Sequence, residues 1–139
     1  MTVTTTSRTI GHPGYRETLP REPESAAVAR RLVHAACSAW GLGELAADGA
    51  LIVSELVSNA VQHARRDTIR VTVTRPGAQR VRVGVVDLST VPPERRAATF
   101  ENESGRGLAL VGALAEEWGT DPLPCGKRVW AELRGRDAR

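Results

Sequence analysis

Between Leu51 and Ala64 the chain reads LIVSELVSNAVQHA. At about 100° per residue, Val53, Leu56, Val57, Ala60 and Ala64 spread over one side of a helix, whereas Glu55, Asn59 and His63 recur every four residues within one quadrant. The spacing predicts a helix from about Glu44 to Ala64. Upstream, apolar positions at Ala27, Val28, Leu32, Val33, Ala36 and Trp40 predict a helix opened at Pro23-Glu24-Ser25, with Ser25 or Glu24 serving the first turn, and ended by Gly41 and Gly43. Tyr15–Leu19 reads as a short edge strand stopped by Pro20. Beyond a turn at Asp67 the period falls to two. Ile69–Thr74 and Arg80–Asp87 then form a hairpin around Pro76-Gly77. A loop over 88–104 leads to a helix over Gly107–Glu117, with Leu108, Val111, Ala115 and Trp118 on one face. Lys127–Leu133 closes the pattern as a strand in which Val129, Ala131 and Leu133 alternate with Arg128, Trp130 and Glu132. This order predicts an α/β two-layer sandwich: a mixed β-sheet covered on one face by about three helices. Its domain spans 15–134, between a flexible tail over 1–14 and a short one over 135–139.

Composition narrows the classes. A chain of 139 residues with 41% hydrophobic content can bury a core as one domain. No apolar run approaches the roughly 20 residues of a membrane span, and the polar start lacks a secretory pattern, so a cytoplasmic protein without a membrane partner is expected. Cys37 and Cys125 lie far apart without metal or redox spacing and read as free thiols. The net charge of +3 comes from scattered arginines, with one Phe and one Tyr, which is too little for a stacking platform; no direct nucleic-acid contact is expected. Basic charge suits an anionic nucleotide or an acidic protein partner.

Several polar residues stand where chemistry could use them. Glu55 could orient a hydroxyl or water, and the amide oxygen of Asn59, one turn on, could hold Mg²⁺; a solvated helix edge would accept both residues as well. His63 sits near the helix end, where the dipole favours a cation. Asp87 closes the apolar run VGVVD, either capping a turn or facing a ligand. Gly105 and Gly107 let a backbone approach phosphate at a helix start, with Arg106 between them as a cation. Lys127, the sole lysine, reads as a surface residue of the last strand.

Taken in order, three segments resemble one family. Glu55-Leu-Val-Ser-Asn-Ala-Val-Gln-His-Ala64 closely resembles the N-box of the GHKL, or Bergerat-fold, ATPases. Ser104-Gly105-Arg106-Gly107-Leu108-Ala109-Leu110-Val111 is similar to that family's second glycine box, and Gly126–Leu133 to its closing strand. The resemblance covers roughly 15–134 and is closest to the anti-sigma-factor serine/threonine kinases. It implies ATP and Mg²⁺ as cofactors, Glu55 as the catalytic glutamate and Asn59 as the metal ligand. It also implies His63, Gly105, Arg106, Gly107 and Leu108 as nucleotide contacts and Asp87 as the acceptor for the adenine amino group. The implied reaction is phosphorylation of a Ser or Thr on an anti-sigma antagonist, with or without sequestration of a sigma factor, and a homodimer stays open. Two departures stand out. Where the family continues Asp-x-Gly-x-Gly, this chain reads Asp87-Leu88-Ser89-Thr90-Val91, and Arg128 lies near a position where relatives carry Thr. The missing glycines favour an alternative: a nucleotide-binding regulator with little kinase activity that acts by sequestering a partner.

Overall fold

The structure, a computed structural model, describes residues 4–5, 14–63, 67–88, 105–124 and 126–135. In chain order the elements are β1 (Thr4–Thr5), β2 (Gly14–Pro20), α1 (Ser25–Ala39), a 3-10 turn (Gly43–Leu45), α2 (Ala46–His63), β3 (Thr68–Gly77), β4 (Arg80–Leu88), α3 (Gly105–Leu114), β5 (Glu117–Leu123) and β6 (Gly126–Arg134). The strands form one sheet in the order β1-β2-β3-β4-β6-β5. Every pairing is antiparallel, so the sheet is not mixed as expected; among the described strands, neighbours run in opposite directions even across the α3 crossover.

Strand alternation sorts the sheet into two faces. Leu19, Ile69, Val71, Val73, Val81, Val83, Val85, Val129, Ala131 and Leu133 face the helices and are buried. From the helix side, Leu32, Val33 and Ala36 of α1, Ile52, Val53, Leu56, Val57 and Ala60 of α2, and Val111 of α3 complete the core. Gly49 sets the separation of α1 from α2: a Cβ there would lie 2.9 Å from Val33 Cγ1. Cys37 is buried in the same core, and burial pushes its thiol up.

The other face is built from charge and one ring. Arg82 stacks over Trp130, its guanidinium carbon 4.2 Å from the ring centroid. Glu132 accepts from Arg80 at 2.7 Å and from Arg82 at 3.1 and 2.9 Å. Gly119 makes room for the indole, since a Cβ there would meet Trp130 Cζ2 at 3.0 Å.

Local details differ from the sequence expectations for physical reasons. Neither Glu24 nor Ser25 caps α1 with its side chain; Ser25 Oγ donates to the Pro20 carbonyl at 2.6 Å, tying α1 to β2 instead. Gly41, at φ 72°, ends α1, and Leu42 N–H donates to the Cys37 carbonyl at 2.8 Å, as a Schellman end requires. Two strands were not foreseen. β1 is only two residues long, and β5 (EWGTDPL) reads as turn residues. Its Pro122 is tolerated because β5 is an edge strand. Trp118 therefore belongs to β5 rather than to the face of α3, which ends at Leu114.

Candidate functional site

The direction of α2 decides which side chains meet. Near its start, a Cβ on Gly49 would lie 3.6 Å from Leu133 Cδ1, so this end of the helix covers the Val81–Leu133 end of the β4–β6 ladder. Its last residue, His63, precedes β3 by four residues, and β3 begins at the opposite end, with Thr68 facing Pro20 and Ile69 facing Asp87. Arg21 fixes that corner. Its backbone N–H donates to Asp67 at 2.7 Å, and its guanidinium donates to the Val61 carbonyl at 3.0 Å, in the last turn of α2, where the dipole favours a cation. The rise per residue agrees. Gly49 to Asn59 covers about 15 Å of helix, and Leu133 to Lys127 covers about 20 Å of strand. The C-terminal half of α2 thus overlies the end of the sheet that carries Asp87.

Asn59 lies seven residues from the fully buried Ile52, on the same stripe of α2, a position that packing would normally fill with an apolar side chain. It is 7% exposed, and its Nδ2 has no hydrogen-bond partner among the described residues. Such orphans are uncommon in proteins and call for a ligand or an explanation. Glu55 lies one turn earlier, at the margin of the buried stripe, and is partly exposed. Next to it, Ser54 Oγ is held by Arg30 Nη1 at 2.9 Å, which pins this stretch of α2 to α1.

Asp87 follows Val81, Val83 and Val85 in phase on β4, so it faces the helices and is 4% exposed. Directly across the ladder is Lys127, in phase with Val129, Ala131 and Leu133 and 7% exposed. The expectation of a surface lysine is therefore overturned. The same alternation that buries Val129 buries Lys127, and its signal was present in the strand pattern. Arg128 points to the other face, where it pairs with Asp121 at 3.3 Å, so the residue beside Asp87 is Lys127. Opposed charges facing each other across a ladder attract, and here the interaction lies largely out of water.

The remaining candidates are placed by their backbone. His63 closes α2 at the Asp87 end. Gly105, Arg106, Gly107 and Leu108 form the first turn of α3, the helix start at which unpaired N–H groups would meet an anion. The loop that would cover a nucleotide, 89–104, lies outside the described residues, as does Cys125. The structure thus sets Asp87 and, unforeseen, Lys127 across from each other on the sheet end that the Asn59 half of α2 overlies, with Glu55 one turn from Asn59.

These residues fit a Mg-nucleotide. A single amide oxygen suits Mg²⁺, which takes most of its ligands from phosphate and water. Asn59 would supply that oxygen, leaving Nδ2 free to donate to a phosphate oxygen. A family model of the histidine kinase-like ATPase domain matches residues 19–132, a span that includes Glu55, Asn59, Asp87, Lys127 and the Gly105–Leu108 turn. A search of curated proteins finds no match. By that match over most of its length, with the two-layer sandwich in agreement, the chain belongs to the histidine kinase-like ATPase domain family and is an ATP-binding domain of the GHKL type.

Proposed function

We propose that this chain is an ATP-dependent regulator of the anti-sigma-factor type, which phosphorylates a Ser or Thr of an antagonist protein and binds a sigma factor on the same domain. The observation that carries the reading is the orphaned amide of Asn59, one turn from Glu55, above the sheet end that holds buried Asp87. Asn59 would hold the metal, and Asp87 would accept from the exocyclic amine of the base. The first turn of α3 would receive the phosphates. Bound Mg-ATP supplies the transferable γ-phosphoryl group and the metal that neutralises its charge.

Glu55 does the chain's own chemical work. In phosphoryl transfer the protein mainly positions groups and offsets charge. A carboxylate at the edge of the site can accept the hydroxyl proton of an incoming Ser or Thr while staying clear of the metal. Its partial exposure suits this role, because the acceptor must come from solvent on a second protein.

A second reading, nucleotide-controlled sequestration with little phosphoryl transfer, draws support from Lys127. Lys127 is buried directly across the ladder from Asp87, where its positive charge would compete with the base for that carboxylate, and the chain lacks the glycines that usually follow that aspartate. A cytoplasmic setting and a homodimer belong to the same proposal. Among the described residues, no helix is long and apolar enough to cross a membrane. The test is transfer of labelled γ-phosphate to a candidate antagonist, together with calorimetric binding of Mg-ATP. Binding with transfer supports the kinase, binding without transfer supports sequestration, and no binding removes both.

A further inference from the structure

A cavity of about 500 Å³ opens between β2 and α1, two strands away from Asp87. Its walls are largely apolar: Tyr15 of β2, with Val28, Leu32 and Ala36 of α1. Two charged residues line it as well, Glu17 of β2 and Arg31 of α1.

Glu17 is the anomaly. It stands in phase with Tyr15 and Leu19 on the helix-covered face, opposite Val71, where the pattern calls for an apolar residue. It is 3% exposed, and its Oε2 has no hydrogen-bond partner among the described residues. Burial pushes its carboxyl up from the ordinary value, against smaller downward pulls from the charge of the chain's amino terminus and from Arg31. A buried acceptor left unmatched within a lined cavity points to a donor supplied from outside.

The charges limit what that donor can be. A simple cation would satisfy Glu17 but meet repulsion from Arg31. A simple anion would suit Arg31 but meet Glu17. A zwitterion with an apolar body answers all three features. We propose that this cavity binds a free α-amino acid with an aliphatic or aromatic side chain. Glu17 accepts from the α-ammonium, and the Arg31 guanidinium, at the exposed rim, takes the α-carboxylate through paired N–H donors. Tyr15, Val28, Leu32 and Ala36 surround the side chain. The volume lies within the roughly 300–1,000 Å³ usual for small-ligand sites. The site is separate from the nucleotide site and stands whether or not the nucleotide reading does.

The test is titration calorimetry on the full chain with leucine, phenylalanine, leucinamide and N-acetylleucine. Leucine or phenylalanine should bind. Leucinamide, which lacks the carboxylate, and N-acetylleucine, which lacks the ammonium, should each bind at least about tenfold more weakly, as the loss of one charged hydrogen-bonded contact predicts. Glu17→Gln and Arg31→Ala should reproduce those losses, with melting curves confirming folded protein. Arg31 is exposed, so its variant keeps the test alive should Glu17→Gln fold poorly. Absence of binding by any amino acid at millimolar concentration would overturn the inference, as would equal affinity for leucine and leucinamide. Because Thr4 pairs with Arg16, beside Glu17, a third result would also overturn it: binding seen only after residues 1–3 are removed, which would assign the cavity to the chain's own amino terminus.

Discussion

Replacing Asn59 with alanine should move stability and ligand binding in opposite directions. Without nucleotide, Asn59 is a liability: a buried amide whose Nδ2 lacks a partner among the described residues, in the interior of a helix. An unsatisfied buried polar group costs about 1–3 kcal/mol. Alanine in place of asparagine adds up to about 0.7 kcal/mol of helix propensity. The smaller side chain gives back part of this as lost packing, about 1 kcal/mol for a void of methyl size or larger. The net expectation is a variant more stable by about 1 kcal/mol, which for a domain of this length raises the melting temperature by roughly 3–5 °C. With Mg-ATP the order should reverse. Wild type gains about 2.7 kcal/mol when ligand stands a hundredfold above its dissociation constant, whereas the variant, lacking the metal ligand, should gain little at the same concentration. The assay is a pair of melting curves for each protein, with and without Mg-ATP. If Asn59→Ala melts lower than wild type by more than about 1 kcal/mol and keeps the whole Mg-ATP shift, Asn59 is a packing residue and the site argument built on it is wrong.

Glu55→Ala should leave Mg-ATP affinity intact and slow phosphoryl transfer by about 10²–10⁴, read as labelled phosphate on the antagonist; equal transfer would remove Glu55 from the chemistry. Glu17 favours its proton in the folded state, because burial raises its carboxyl above the ordinary 4.5. Its contribution to stability is therefore complete below that value and lost as pH rises through the raised pKa. Urea titrations should show wild type weakening across that window and Glu17→Gln holding level, and parallel curves would contradict the assignment. Glu132→Ala should destabilise by about 1–2 kcal/mol, since it removes the acceptor for Arg80 and Arg82, although both arginines are exposed enough for water to replace part of the loss. Chemical denaturation at two salt concentrations would check it.

Much of the fold was legible because its periods are clean. The stripe on α2 and the alternation in β3, β4 and β6 placed those elements within a residue or a few at each end. β5 was not legible. Gly119, Asp121 and Pro122 are turn formers by propensity, and they form a strand only because β6 offers an unpaired edge and Gly119 accommodates Trp130. That is tertiary context overriding local preference. Glu55, Asn59 and Asp87 were read from spacing and family resemblance together. At Lys127 residue type and phase conflict: a lysine suggests the surface, whereas its phase with Val129 and Ala131 buries it. Glu17 is hidden for a related reason: a charged residue in so short a strand matches a solvated edge, and only the packing of α1 against β2 buries it beside a cavity.

Burial of a charged or polar side chain does not by itself mark a site in this protein; satisfaction is the sharper criterion. Glu132 is as buried as Asp87, yet it accepts three hydrogen bonds from Arg80 and Arg82 and serves to hold the uncovered sheet face together. Glu17 and Asn59 are equally removed from water, and each keeps a polar atom that no described residue meets. Both stand at positions where the local period calls for an apolar side chain, so each is a loss that folding alone does not explain. Trp130 Nε1 is orphaned too, beneath Arg82, and nothing in the structure accounts for it. The difference lies in the surroundings. Trp130 packs against Gly119 and Gly84, with its ring already covered, whereas Glu17 lines a cavity and Asn59 lies at the sheet end that carries Asp87 and Lys127. An unmet group beside space or beside other polar groups can be met by a ligand, and the Asn59 end is where the proposed function puts the nucleotide. The Glu17 cavity presents an unmet group of the same physical kind on the β2–α1 flank of the same core.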